Sequence, residues 1–137
     1  YYALVEGNIK EDAFRIDAPI SRSKKDRKKM AVRNDGRLAA TQVKVLERFG
    51  SHTFVECILE TGRTHQIRVH LAHKKHPVAG DVLYGHPDPK LGLHSQALHA
   101  HSLAFVHPRS GGQISFEAPL QSEFMQALAK LRKTSER

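Results

Sequence analysis

The sequence predicts an α+β fold: a mixed, mostly antiparallel sheet with two main helices. Three observations carry that expectation. Residues 38–48 and 52–59 are adjacent runs of strand character joined by a short turn. Residues 65–73 follow a Thr-Gly break and start like a helix. Residues 121–132 place Phe124, Leu128 and Leu131 on one helical stripe. A chain of 137 residues suffices for one compact domain with a modest core.

The elements follow in order. Residues 1–7, YYALVEG, read as a strand that enters a turn at Gly7-Asn8. Residues 11–17 form a possible short strand, ended by Ala18-Pro19-Ile20, because proline removes a ladder donor. Six of the eight residues 22–29 are basic: Arg22, Lys24, Lys25, Arg27, Lys28 and Lys29. Such a run repels itself and is expected to form a mobile loop, either a solvated connector or, as we favour, a contact for RNA phosphates. In residues 40–45, Thr41, Val43 and Val45 alternate with polar Gln42 and Lys44, the period of a half-buried strand. Phe49-Gly50-Ser51-His52 is a plausible hairpin connection to the second strand.

Gly62 offers the positive φ that a sharp strand exit often needs, and Thr64 is a good N-cap. The pattern beyond it is ambiguous. Ile67, Val69 and Leu71 alternate like a strand, while Ile67 and Leu71 also lie one helical turn apart; the cap favours helix. Arg63, Thr64, His65, Gln66, Arg68 and His70 crowd donors into eight residues, and a helix start adds free N–H groups suited to an anion. A solvated basic helix explains the same residues equally well. Ala79-Gly80-Asp81 and Tyr84-Gly85 are turn chemistry, and residues 86–95 read as loop. Residues 96–108 read as a strand with a bend, Ser110-Gly111-Gly112 as a turn, and residues 113–118 as a short strand before the last helix.

The formal charge of +8 favours a polyanionic partner. Cys57 is the single cysteine, so no intrachain disulfide forms and a reduced, cytoplasmic setting is expected. No apolar run approaches the ~20 residues of a membrane span, and no membrane partner is expected. Ten histidines raise the possibility of a metal protein, but no cysteine or acidic ligand accompanies them and HExxH is absent. No metal and no cofactor is expected.

The stretch GRTHQIRVHLA, followed by HPVAGDVLYG, closely resembles the signature of the RluA-type pseudouridine synthases. Three further segments add to the resemblance: YYALVEG at the start, Ala18-Pro19-Ile20 with the basic run through Met30, and QALHAHSLAFVHP at residues 96–108. The resemblance implies a uridine isomerase acting on RNA, most often ribosomal RNA, without a cofactor. It implies that Arg68, the arginine of Gln66-Ile67-Arg68, pairs with a catalytic aspartate, and that Tyr1 lies against the target base. It adds an RNA-facing surface in which Arg63, Thr64, His65 and Gln66 join the basic run 22–29. The family's aspartate sits in an HRLD-type motif, and none of the fourteen acidic residues here has that context. Asp81 reads as a turn residue and not as a substitute. Residues 1–137 are therefore expected to be the C-terminal part of a synthase catalytic domain, inactive alone and lacking its N-terminal half. A non-catalytic RNA-binding module on the same scaffold is the alternative.

Overall fold

In a computed structural model of the chain, residues 1–100, 102–106, 113–117 and 122–135 are described. Five strands form the main sheet in the order β2-β5-β6-β1-β7. These are β1 (Tyr2–Glu6), β2 (Ala13–Asp17), β5 (Ala40–Arg48), β6 (His52–Leu59) and β7 (Leu98–His99). Two hairpins stand apart from it: β3 (Ile20–Arg22) with β4 (Met30–Val32), and β8 (Ser102–Val106) with β9 (Gln113–Glu117). The helices are α1 (Gln66–His73) and α2 (Ser122–Ser135). Every pairing among the named strands is antiparallel.

Directly paired residues share a sheet face, so the register sorts the core. Val43 opposes Cys57, Val45 opposes Val55 and Ala3 also opposes Val55. That face meets α1, whose Ile67 and Leu71 join the same buried cluster. Leu4 opposes Phe54 on the other face. There the Phe54 ring meets Phe124 of α2 edge-on, with centroids 5.8 Å apart. Arg132 of α2 grips the Glu47 carboxylate of β5 through Nε and Nη2. Phe124, Ala127, Leu128 and Leu131 are buried as the stripe predicts, whereas Met125 is exposed.

Helix α1 is covered on two sides, which explains its ambiguous pattern. Val69 turns away from the main sheet and packs with Ile20, Ala39, Met30 and Tyr84 in a second cluster. An apolar residue at every second position is thus compatible with a helix wedged between a sheet and a hairpin.

Three local expectations change. Thr64 is not the N-cap: His65 is, in the left-handed region at φ 55°, and no side chain caps the helix. Gly62 has no positive φ, so the sharp change of direction falls on His65 instead. The basic run is a loop, as expected, and forms the tip of the β3–β4 hairpin with turns of its own. Ser23 Oγ accepts the N–H groups of Lys25 and Asp26, Asp26 Oδ1 accepts that of Lys28, and Arg22 Nη1 donates to the Arg27 carbonyl. The segment read as one bent strand splits: β7 pairs with β1, and β8 pairs with β9. The turn expected at 110–112 lies outside the described residues.

The turn after α1 depends on Gly80, at φ +77°. A Cβ there would lie 2.4 Å from the Ser95 carbonyl oxygen. Gly50, at φ +84°, has open space around its missing Cβ. Gly80→Ala is expected to lower the unfolding free energy by about 2–4 kcal/mol, combining left-handed strain with a backbone collision, and Gly50→Ala by only about 1–2. Urea midpoints of the two variants check the contrast; equal shifts would contradict it.

Candidate active site

The site begins with a buried amide. Gln66 is 3% exposed. Its Oε1 accepts the Thr61 hydroxyl at 2.7 Å and the Arg63 N–H at 3.0 Å. Its Nε2 donates to the Ala40 carbonyl at 2.9 Å and to Thr41 Oγ1 at 3.0 Å. Thr41 then donates to His70 Nδ1 at 2.8 Å, and His70 Nε2–H donates to the Ala18 carbonyl at 2.9 Å. Burial holds the His70 imidazole below its ordinary basicity, consistent with the neutral tautomer that this direction of donation requires. The chain of bonds ties the start of β5, the Thr61–Arg63 turn and α1 into one unit. It also uses all four hydrogen-bonding positions of Gln66, leaving none for RNA, so this residue shapes the site from within.

Above this unit lies a cleft of about 270 Å³ lined by Tyr1, Leu59, Arg63, His65, Gln66, Ile67, Arg68, Gln96 and Leu98. Its size is near the lower end for ligand pockets, ~300 Å³. Leu59, Ile67 and Leu98 supply apolar walls, and the arginines supply charge. Both expected catalytic residues, Tyr1 and Arg68, meet here. Tyr1 extends the β1–β6 ladder: its nitrogen donates to the Cys57 carbonyl and its own carbonyl accepts Cys57 N–H.

Arg68 has a partner that sequence reasoning missed. Its Nε donates to Asp81 Oδ2 at 2.8 Å and its Nη2 to Oδ1 at 3.0 Å. Asp81 is fully buried and also accepts the N–H groups of Leu83 and Tyr84. Burial pushes the Asp81 carboxyl up, but Arg68 and these two N–H groups outweigh it and hold the carboxyl below its usual range. The hydrogen bonds to Asp81 raise Arg68 in turn. With both oxygens engaged and no exposure, Asp81 is a structural anion and not a substitute nucleophile. The signal was present in the sequence, since GDVLYG has an acid beside a turn glycine, but nothing in a linear string shows which cation it meets.

Tyr84 ties the site together. Its ring lies under the Arg68 guanidinium, 5.1 Å from centroid to Cζ, and meets the His65 ring edge-on. Its hydroxyl accepts the Met30 N–H and donates to His65 Nδ1, both at 2.8 Å. Burial and the nearby Arg68 lower the basicity of His65, so its Nδ1 is available as an acceptor. Through Met30 the basic hairpin is pinned beside the cleft. Arg22, Lys24, Lys25, Arg27 and Lys28 are exposed there and Lys29 is half-buried. Arg63 donates from Nε to the Leu38 carbonyl, and Thr64 is exposed outside the cleft lining.

Several histidines have partners within the fold: His52 with Asp88, His76 with the Glu6 carbonyl and His86 with the Glu6 carboxylate. Among the described residues no group of three metal-ligating side chains converges. Their helices include none long and apolar enough to cross a membrane. A larger depression of about 600 Å³ lies over β2 and β5, near Phe14, Arg15, Lys44 and Ile58. It contains none of the expected site residues.

The chain is an antiparallel α+β domain with a basic hairpin and an arginine-bearing cleft, and comparisons with known proteins place it in a family. The profile of the family described as RNA pseudouridylate synthase matches residues 1–73. The chain belongs to this family. It is 52% identical over 133 residues to an uncharacterized RNA pseudouridine synthase of Bacillus subtilis, covering 97% of this chain and 44% of that protein. It is 47% identical to the ribosomal large subunit pseudouridine synthase D of Xanthomonas campestris, covering 100% of this chain and 45% of the relative. Human RNA pseudouridylate synthase domain containing 4 has a similar solved structure, with TM-score 0.74 and 25% identity, covering 96% of this chain and 60% of that one. The chain thus spans about half the length of the curated relatives it matches.

The neutral state of His70 gives a pH signature. An unfolded histidine takes up its proton near pH 6.5; the folded one, held lower by burial, does so at more acid pH. Between the two values the unfolded chain binds more protons, so the His70 contribution is complete above about pH 6.5 and declines as pH falls below it. Comparison of urea stability at pH 7.5 and 5.0 is expected to show a smaller acid loss in His70→Gln than in the wild type. An identical loss would contradict burial of a neutral ring.

Proposed function

We propose that the protein to which this chain belongs isomerises uridine to pseudouridine in RNA, with ribosomal RNA as the substrate class. The observation that carries this reading is Arg68, fixed at the wall of a small cleft that also contains Tyr1, in a chain of the RNA pseudouridylate synthase family. The names of the Xanthomonas and Neisseria relatives, ribosomal large subunit pseudouridine synthases, support the substrate class. A cytoplasmic setting fits the single thiol: burial pushes Cys57 up to about 12, which leaves it inert.

The chemistry breaks the C–N glycosidic bond of a uridine and rejoins the same base through carbon. No electrons are gained or lost, so no redox group is needed. The nucleotide must leave its stack, which costs a few kcal/mol. Leu59, Ile67, Leu98 and the Tyr1 ring offer apolar surface for a flipped base. A carboxylate must act at the ribose. No Asp or Glu lines the cleft among the described residues, and the HRLD-type motif is absent from residues 1–137. We assign that carboxylate to sequence outside these residues, which then form the C-terminal part of the catalytic domain. Arg68 spends Nε and Nη2 on Asp81. Nη1 remains to hold the catalytic carboxylate ionised and oriented. The absence of a carboxylate from the cleft favours one other reading, a non-catalytic RNA-binding module; turnover by the whole protein decides between them.

Two outcomes are expected. In the whole protein, Arg68→Ala is expected to slow single-turnover pseudouridine formation by at least about 100-fold, the scale of removing one preorganised electrostatic interaction. Arg68→Lys is expected to recover only part of the rate, because an ammonium lacks the planar fork. Arg63→Ala is expected to weaken RNA binding more than chemistry. An intact rate in Arg68→Ala would remove Arg68 from the site.

Separately, replacing Lys24, Lys25, Lys28 and Lys29 with alanine is expected to flatten the slope of log affinity for RNA against log salt, by about 0.7–0.9 for each phosphate no longer neutralised. An unchanged slope would show that the hairpin does not meet phosphate. The 137 residues alone are expected to make no pseudouridine when incubated with unmodified ribosomal RNA.

A further inference from the structure

We infer that Asp81, together with the Tyr84 ring, is a positioning residue for Arg68: the pair fixes the plane and direction of the guanidinium so that its free edge faces the cleft. The inference rests on the reading of Arg68 as an active-site residue and assigns a role to the turn that follows α1.

A guanidinium at the end of four rotatable bonds has many orientations, and Arg68 is restrained in two independent ways. The paired bonds to Asp81 take the Nε–Nη2 edge and set the plane. The Tyr84 ring covers one face of that plane. What remains is the Nη1 edge, on a side chain that lines the cleft.

Both restraints are themselves anchored. The Asp81 carboxylate accepts Leu83 and Tyr84 N–H at 3.1 Å each. Its backbone closes the turn, with Asp81 N–H on the Val78 carbonyl and Gly85 N–H on the Asp81 carbonyl. Gly80 seats that turn against Ser95. The Tyr84 hydroxyl is fixed between Met30 N–H and His65 Nδ1. An arginine fork held by a preset carboxylate loses little freedom when a second carboxylate arrives, which is the condition for an electrostatic contact that need not reorganise during reaction. Asp81 touches neither the cleft nor any reacting atom, so its effect passes through Arg68.

The test uses the whole protein with Asp81→Asn, Tyr84→Leu, Arg68→Ala and the double variant Asp81→Asn/Arg68→Ala. Single-turnover rate, RNA Kd and folding midpoint are measured for each. The Arg68 Nε–H resonance is followed by nitrogen-15 NMR, assigned by its loss in Arg68→Ala. Asp81→Asn is expected to slow the single turnover by about 10–100-fold while RNA Kd stays within about 2-fold, and to add nothing further in the Arg68→Ala background. The Arg68 Nε–H is expected to exchange slowly in the wild type, where Asp81 accepts it, and faster in Asp81→Asn.

An unchanged rate in Asp81→Asn, or the same fractional loss with and without Arg68, would overturn the inference. If Asp81→Asn does not fold, Tyr84→Leu takes its place under the same criteria. If the wild type makes no pseudouridine, the proposed function fails. The Nε–H exchange then decides positioning alone, and protection that persists in both Asp81→Asn and Tyr84→Leu would refute it.

Discussion

The buried amide of Gln66 is the interaction on which the rest of the site depends. Four hydrogen bonds converge on it, from Thr61 and Arg63 on one side and to Ala40 and Thr41 on the other. A buried polar group is an asset only when every member of its network is satisfied. Here the network runs on through His70 to the Ala18 carbonyl without an orphan, and no buried side-chain nitrogen or oxygen lacks a partner among the described residues. Removing one partner exposes the others to a desolvation cost of about 1–3 kcal/mol each. The strand end, the turn and the helix start are therefore one cooperative object, and the cleft is its outer surface.

Charge is distributed on two levels. The hairpin tip bears exposed cations; Asp26, the acid within the run, is occupied with the backbone of Lys28. Such charges act at a distance and are screened by salt. Arg68 is different: it is mostly buried, and its charge is matched by Asp81 behind it. The first set is suited to a polyanion at long range and the second to a single group at short range. The hydroxyl of Tyr84 joins the two levels, since it touches the backbone of Met30 on the hairpin and the ring of His65 at the cleft.

Much of the architecture was legible in the sequence. The alternation at Thr41, Val43 and Val45 placed β5, and the stripe Phe124, Leu128 and Leu131 placed α2, because each element buries a single face against the sheet. Gln66, Ile67 and Arg68, singled out by their motif, are among the residues that line the cleft. What escaped were pairings across the chain. Asp81 lies thirteen residues from Arg68 and Met30 fifty-four from Tyr84, and no local rule connects them. Thr64 has the right chemistry for a cap, worth about 1 kcal/mol. That preference yields to the Gln66 network, which draws the chain inward one residue later and leaves His65 at the turn. Gly62 escaped too: it has no positive φ, and the left-handed residue is His65.

That displacement has a consequence for how this protein can change. A non-glycine residue in the left-handed region stores roughly 1 kcal/mol of backbone strain. At 65 the strain sits at the base of α1, against the ring that also supports Arg68. Glycine at 65 would relax the backbone yet vacate the acceptor that the Tyr84 hydroxyl uses. Improvement of the fold and preservation of the cleft therefore pull in opposite directions at one residue. Lys75 shares the left-handed conformation, but at 65 a search for sturdier versions that rewards stability alone would loosen the junction between hairpin and helix as it succeeds.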